Sequence, residues 1–190
     1  MTWGFAFLVA AMTLLAGIDH ARAEVFDMRD VMGGGSFFGF GRSSPARREV
    51  VSFVSQYKPG TIYIDTAERR LYLVLAQGQA LRYGIGVGRD GFRWSGVHRI
   101  SAKKEWPGWT PPSQMLARRP DLPRHMAGGL DNPLGARAMY LGSTLYRIHG
   151  SNEPDTIGQA VSSGCFRMSN EDVTDLYNRV SIGATVVVRN

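Results

Sequence analysis

The sequence predicts a mainly β protein: a β-sandwich or barrel-like domain with a few short helices. Three observations predict it. Runs of β-branched and aromatic residues recur at short spacing between positions 61 and 106. Turn-forming residues separate these runs, and the stretches with helical periodicity are few and short. A length of 190 residues suffices for one hydrophobic core and hardly for two.

Residues 1–23 read as a signal peptide. The apolar stretch Phe5 to Gly17 is shorter than a membrane span requires. Ala21-Arg22-Ala23 places small residues at the two cleavage-determining positions, which predicts cleavage before Glu24 and export to the periplasm. The leading Met-Thr-Trp-Gly carries no Lys or Arg, so retention as a membrane anchor is the alternative. Residues 24–49 are rich in Gly, Ser and Arg. Such a composition buries too little apolar surface to fold alone and reads as a flexible linker. The folded domain is expected over 50–190.

Within that domain, 61–65 (TIYID), 70–76 (RLYLVLA) and 80–87 (ALRYGIGV) read as strands, with Ala67-Glu68 and Gln77-Gly78 as the intervening turns. Residues 97–106 alternate as a further strand. The Pro- and Gly-rich segment TPPSQMLARRPDLPRHMAGG breaks regular structure except for a short helix at 113–119. An insertion this long in a small domain is more often functional than idle, so it is expected to form a lid or one wall of a groove. Residues 138–149 read as two strands around Gly142-Ser143. Thr156 is a candidate cap for a short helix over 157–161. Asn170 is the candidate N-cap of a second helix, with Glu171 and Asp172 at its positive end and Val173, Leu176, Tyr177 and Val180 as its apolar stripe. Residues 184–189 close the chain as a strand.

The formal charge of +6 is compatible with nucleic acid, anionic lipid or an acidic polymer. The bases are scattered, no helix carries a basic face, and no RNA-binding aromatic signature is present, so nucleic acid is not the expected partner. Four scattered histidines and one cysteine match no metal-binding spacing, and neither metal nor cofactor is expected. A single cysteine also excludes an intramolecular disulfide.

That cysteine, Cys165, lies sixteen positions after His149 in YRIHGSNEPDTIGQAVSSGCFRMSN. A lone Cys is ordinarily a small buried hydrophobe. In an exported protein an unpaired thiol is a liability unless it is used. A thiol reacts as its thiolate, and a neighbouring imidazole is the usual means of generating it. Cys165 is therefore the candidate nucleophile and His149 its base. His98 and His125 read as surface or core residues. Ser163, Gly164 and Cys165 are small enough at their main chain to offer N–H groups to an oxyanion.

These residues carry a resemblance. IHGSN…IGQAVSSGCFRMSNEDVTDLY resembles the signature of the YkuD-like L,D-transpeptidase catalytic domain, the bacterial cell-wall cysteine transpeptidases. His149, Gly150, Ser162, Gly164, Cys165, Arg167, Met168, Asn170 and Asp172 match it. Ser163 departs from it, because many members carry a second histidine there. Similarity extends over roughly 58–189 and includes NPLGARAMYLG. The resemblance implies a β-sandwich with Cys and His facing one cleft, and a Gly150 carbonyl orienting the base. It also implies acylation of Cys165 by a peptidoglycan stem tetrapeptide with release of D-alanine. The thioester then passes to diaminopimelate of another stem, or to an amine of an outer-membrane protein or lipoprotein. Arg167 has a plain reading as a surface charge, and by the resemblance lies beside the nucleophile to pair with a peptide carboxylate. Asn152 is a candidate cleft residue. Trp106 and Trp109 read equally as stacking platforms or as packing. Hydrolysis by an L,D-carboxypeptidase or amidase, and a non-catalytic peptidoglycan-binding module, are the rival readings.

Overall fold

Side chains alternate between the two faces of a strand, and residues 62–65 show that alternation plainly: Ile62 and Ile64 are fully buried while Tyr63 and Asp65 are half-buried. The computed structural model describes residues 47–190 together with Met1. The expected signal peptide and nearly all of the expected linker lie outside the described residues. Strand β1 spans Glu49–Ser52, β2 Ile62–Asp65, β3 Arg70–Val74, β4 Gln79–Gly84, β5 Val87–Gly88 and β6 Gly96–Glu105. Helix α1 (Ser113–Arg118) precedes β7 (Arg137–Leu141), β8 (Arg147–His149), β9 (Ala160–Ser162) and β10 (Phe166–Arg167). Helix α2 (Asn170–Arg179) and β11 (Thr185–Arg189) complete the chain.

Nine strands join in the order β1-β4-β3-β2-β11-β6-β7-β8-β10. The β2–β3 and β3–β4 pairs are the expected antiparallel hairpins, with Ile62 opposite Leu73 and Leu71 opposite Tyr83. Between β3 and β4 the chain reverses through Gln77 and Gly78, both at positive φ. The last strand, β11, inserts between β2 (parallel) and β6 (antiparallel), so the two ends of the domain interlock.

Strand β6 decides the architecture. Its first residues pair with β11 and its later ones with β7, with a register shift between Ile100 and Ala102. A bulge of this kind bends a strand and lets it serve two sheets. Both portions contribute to one core: Ile62, Leu71 and Tyr83 from one side, Met139, Ile148 and Phe166 from the other, with Val173 and Leu176 of α2. The mainly β, sandwich-like class predicted from sequence is the class observed.

Two local expectations are corrected. No helix covers 157–161. A 3-10 turn at Pro154–Thr156 is followed by Gly158 at φ +85° and then by β9, which pairs in parallel with β5. Thr156 is not a cap there; its hydroxyl donates back to the Glu153 carbonyl at 2.7 Å. The second correction concerns α2, whose N-cap is Ser169, not Asn170. Ser169 Oγ accepts the Asp172 N–H at 3.0 Å, leaving Asn170 Oδ1 to accept the Ala136 N–H at 2.8 Å. Both residues are good caps, and the tertiary bond to Ala136 decides between them. Strands β1, β5, β9 and β10 are two to four residues long, too short for periodicity to reveal. Among the described residues no helix is long and apolar enough to cross a membrane.

Candidate active site

Strands β8 and β10 run parallel, with Phe166 opposite Ile148 and Arg167 opposite His149. The Met168 N–H donates to the His149 carbonyl at 2.8 Å and fixes that register. A parallel pair needs a crossover, and residues 150–165 supply it, so two positions far apart in sequence become neighbours. Cys165 immediately precedes β10. Register extended by one residue sets it beside Arg147, which shares a strand face with His149.

Cys165 and His149 line the same cleft of about 360 Å³, within the usual range for a small-ligand site. Ser163, Arg147, Arg167 and Trp109 also line it, and α1 contributes Gln114, Met115 and Arg118. The Pro/Gly-rich insertion thus forms a wall of the cleft, as expected. Asn152 is not among the lining residues; it is exposed and donates to the Asp131 carbonyl at 2.9 Å. Trp106 is likewise outside the lining and 42% exposed.

The electrostatics follow from burial and from arginine. His149 is buried, and its Nδ1 lies 2.6 Å from the Gly150 carbonyl. A carbonyl only accepts, so Nδ1 carries the proton and Nε2 presents its lone pair. Burial pushes the imidazole down to about 3; the Gly150 bond opposes this, and the Arg167 and Arg147 guanidiniums add to it. Cys165 is half-buried, and burial raises its thiol while Arg147 and Arg167 pull it down. Its Sγ lies 3.7 Å from the Leu145 carbonyl, the contact of a weak S–H donor. The resting pair is therefore a neutral thiol and a neutral imidazole.

Two glycines are fixed by crowding. A Cβ on Gly150 would collide with Asn170 Oδ1, the group held by Ala136. Gly164 sits at φ +104°, and a Cβ there would come 2.5 Å from Tyr146 Cε1. Its own N–H, an expected oxyanion donor, donates to Ser162 Oγ within the turn at 3.2 Å. Ser162 also donates to the Cys165 carbonyl at 2.6 Å.

Arg167 is held by neighbours of its own. It lines the cleft, but its guanidinium is paired with Glu153 at 2.7 Å and donates to Thr156 Oγ1 at 3.3 Å. The cation expected to receive a peptide carboxylate thus already has a carboxylate partner.

Sequence reasoning missed Trp94. Its indole Nε1 donates to the Gly164 carbonyl at 2.8 Å, and its ring stacks on Tyr146 at 4.5 Å. In a trans peptide the N–H points opposite the carbonyl, so Trp94 aims the Cys165 N–H away from itself. Trp94 is a positioning residue with no sequence signal beyond a Trp in a loop. Trp94→Phe keeps the ring and removes the donor. Its expected result is a kcat lower by up to about 10²-fold with KM nearly unchanged, measured by steady-state release of the leaving amine; a rise in KM alone would argue against positioning. Among the described residues no three His, Cys, Asp or Glu side chains gather in a metal-binding group.

Residues 59–188 match the YkuD family, the L,D-transpeptidase catalytic domain. The chain is 37% identical over 134 residues to the probable L,D-transpeptidase YbiS of Escherichia coli K12, covering 66% of this chain and 43% of that protein. It therefore spans less than half the length of that relative. A Brucella melitensis structure, named for a probable carnitine operon oxidoreductase, is 50% identical over 76% of this chain and 94% of its own, with a TM-score of 0.52. L,D-transpeptidase 3 of Mycobacterium tuberculosis, at 16% identity, covers 68% of this chain and 60% of its own with a TM-score of 0.56, a likeness of fold. With a family match running through both sheets, α2 and the Cys165–His149 cleft, the chain belongs to the YkuD L,D-transpeptidase catalytic domain family.

Proposed function

We propose that this protein is a periplasmic peptidoglycan L,D-transpeptidase. The observation that carries the reading is the cleft shared by the Cys165 thiol and a His149 whose Nε2 is unprotonated. His149 Nε2 takes the thiol proton as Cys165 Sγ attacks the carbonyl between the third stem residue and the terminal D-alanine. The Cys165 N–H, aimed by Trp94, faces the developing oxyanion. As the C–N bond breaks, the imidazolium returns its proton to the D-alanine amine, and a thioester remains on Cys165. An amine then attacks the thioester, losing its proton to His149, and the thiol is regenerated. Diaminopimelate on a neighbouring stem gives a wall cross-link. An amine of an outer-membrane protein or lipoprotein gives an anchored protein.

The reading of residues 1–23 as a signal peptide is consistent with a periplasmic placement, where the proposed donor lies. The test is incubation of the protein with purified tetrapeptide muropeptides, followed by mass spectrometry. Dimers with free D-alanine are expected. Shortened monomers alone would replace the reading with hydrolysis, and unchanged muropeptides would remove the enzyme reading.

A further inference from the structure

Three arginines line the cleft, and their surroundings differ. Arg167 is paired with Glu153 at 2.7 Å. Arg118, on α1, sits 5.6 Å from the Phe92 ring centroid. Arg147 lies 5.2 Å from the Tyr140 ring centroid, and no carboxylate pairs with it among the described residues. Its Nε is buried with no hydrogen-bond partner among them. A buried donor left unpaired is costly, and a guanidinium in this state is preorganised for a planar anion with two acceptor oxygens. Position adds to chemistry: Arg147 is two residues before His149 on β8, hence on the same face, and neighbours Cys165 across the β8–β10 pair.

We propose that Arg147 is the specificity residue that reads a carboxylate of the donor peptide next to the attacked carbonyl. For the identity of the donor, the proposal rests on the transpeptidase reading. A stem tetrapeptide offers two such groups: the terminal carboxylate of the leaving D-alanine and the side-chain carboxylate of the third residue. Docking either one against the guanidinium offsets the positive potential that Arg147 imposes on His149. The donor's own charge thereby makes the base more able to accept the thiol proton.

Alkylation of Cys165 by iodoacetate and by iodoacetamide compares an anionic with a neutral probe of the same size and needs no transpeptidase activity. The ratio of the two rates in the full-length protein is expected to fall by about tenfold in Arg147→Met. It should be unchanged in Arg93→Met, which removes an exposed cation outside the cleft. Arg147→Lys keeps the charge and loses the fork, so it should retain the ratio while weakening peptide binding.

Three donors separate the sources: the free tetrapeptide, its C-terminal carboxamide, and the analogue amidated on the third side chain. KM for the free donor should rise by about tenfold to a hundredfold in Arg147→Met. The wild type should show the same rise with whichever amide removes the recognised group. An unchanged alkylation ratio, with all three donors affected equally, overturns the proposal. If the wild type turns over none of the donors while the ratio still falls in Arg147→Met, the transpeptidase reading fails and the anion site stands.

Discussion

Cys165→Ser is expected to stop D-alanine release from tetrapeptide donors, with a loss of about 10⁴-fold or more. The change is one atom in a half-buried position, so circular dichroism and thermal unfolding should match the wild type. The cause is chemical. Burial raises the Cys165 thiol and the Arg147 and Arg167 guanidiniums oppose that rise; a thiol is still intrinsically far more acidic than an alcohol, from which a base held down to about 3 is far too weak to take a proton. Two measurements check it: chromatographic D-alanine release, and intact mass after incubation with a carbapenem, which family resemblance makes an acylating probe. The wild type should gain the adduct mass and the variant should not. A serine variant that still supports the cellular phenotype and binds sacculi would instead indicate a non-catalytic wall-binding module.

His149→Asn is expected to lower the acylation rate by about 10²- to 10⁴-fold, the range for loss of a general base. It should also change how stability depends on pH. The imidazole is depressed in the folded protein to about 3 from its ordinary value of 6.5. Between those two values the unfolded chain binds a proton that the folded one does not. Stability is therefore full above about pH 6.5 and falls as pH drops toward 3, by about 1.4 kcal/mol per unit. Urea unfolding at pH 7 and pH 5 should show this fall in the wild type and its absence in the variant. Activity bears on the same point. The free-enzyme base is neutral down to acid pH, so the acid limb of kcat/KM should lie well below 6.5. A limb at 6.5 or above would instead indicate an imidazole that titrates at its ordinary value, undepressed by burial.

The fold was legible wherever a segment is long enough to show a period. The β2–β3–β4 hairpins, β6, β7, β8 and β11 are visible as β-branched and aromatic runs between turn residues, and α2 in its apolar stripe. The missed strands have two to four residues and owe their conformation to their neighbours: β10 exists because β8 offers it a parallel edge. The failed helix at 157–161 shows the same limit. Thr156 and the apolar residues after it have acceptable helical credentials, and tertiary pairing of β9 with β5 overrides them.

The site divides along similar lines. The residue types for acyl transfer, a thiol, an imidazole and a Gly-rich turn, stand in the sequence, as does the motif that ties them to a family. Arg147 carried a usable signal, since a residue two before His149 on a strand shares its face. Trp94 carried none, because its bond to Gly164 spans seventy positions. Arg167 was assigned a free charge because a partner fourteen residues away leaves no mark in a linear pattern.

By itself, then, the sequence determined the chemistry available and the class of fold, since side-chain identity and hydrophobic period are properties of short stretches. Which nitrogen of His149 carries the proton, which arginine is already paired and which N–H of the Gly-rich turn is already engaged were decided only by the tertiary structure. Each of those depends on a distance of about 3 Å between groups that the chain brings together only on folding.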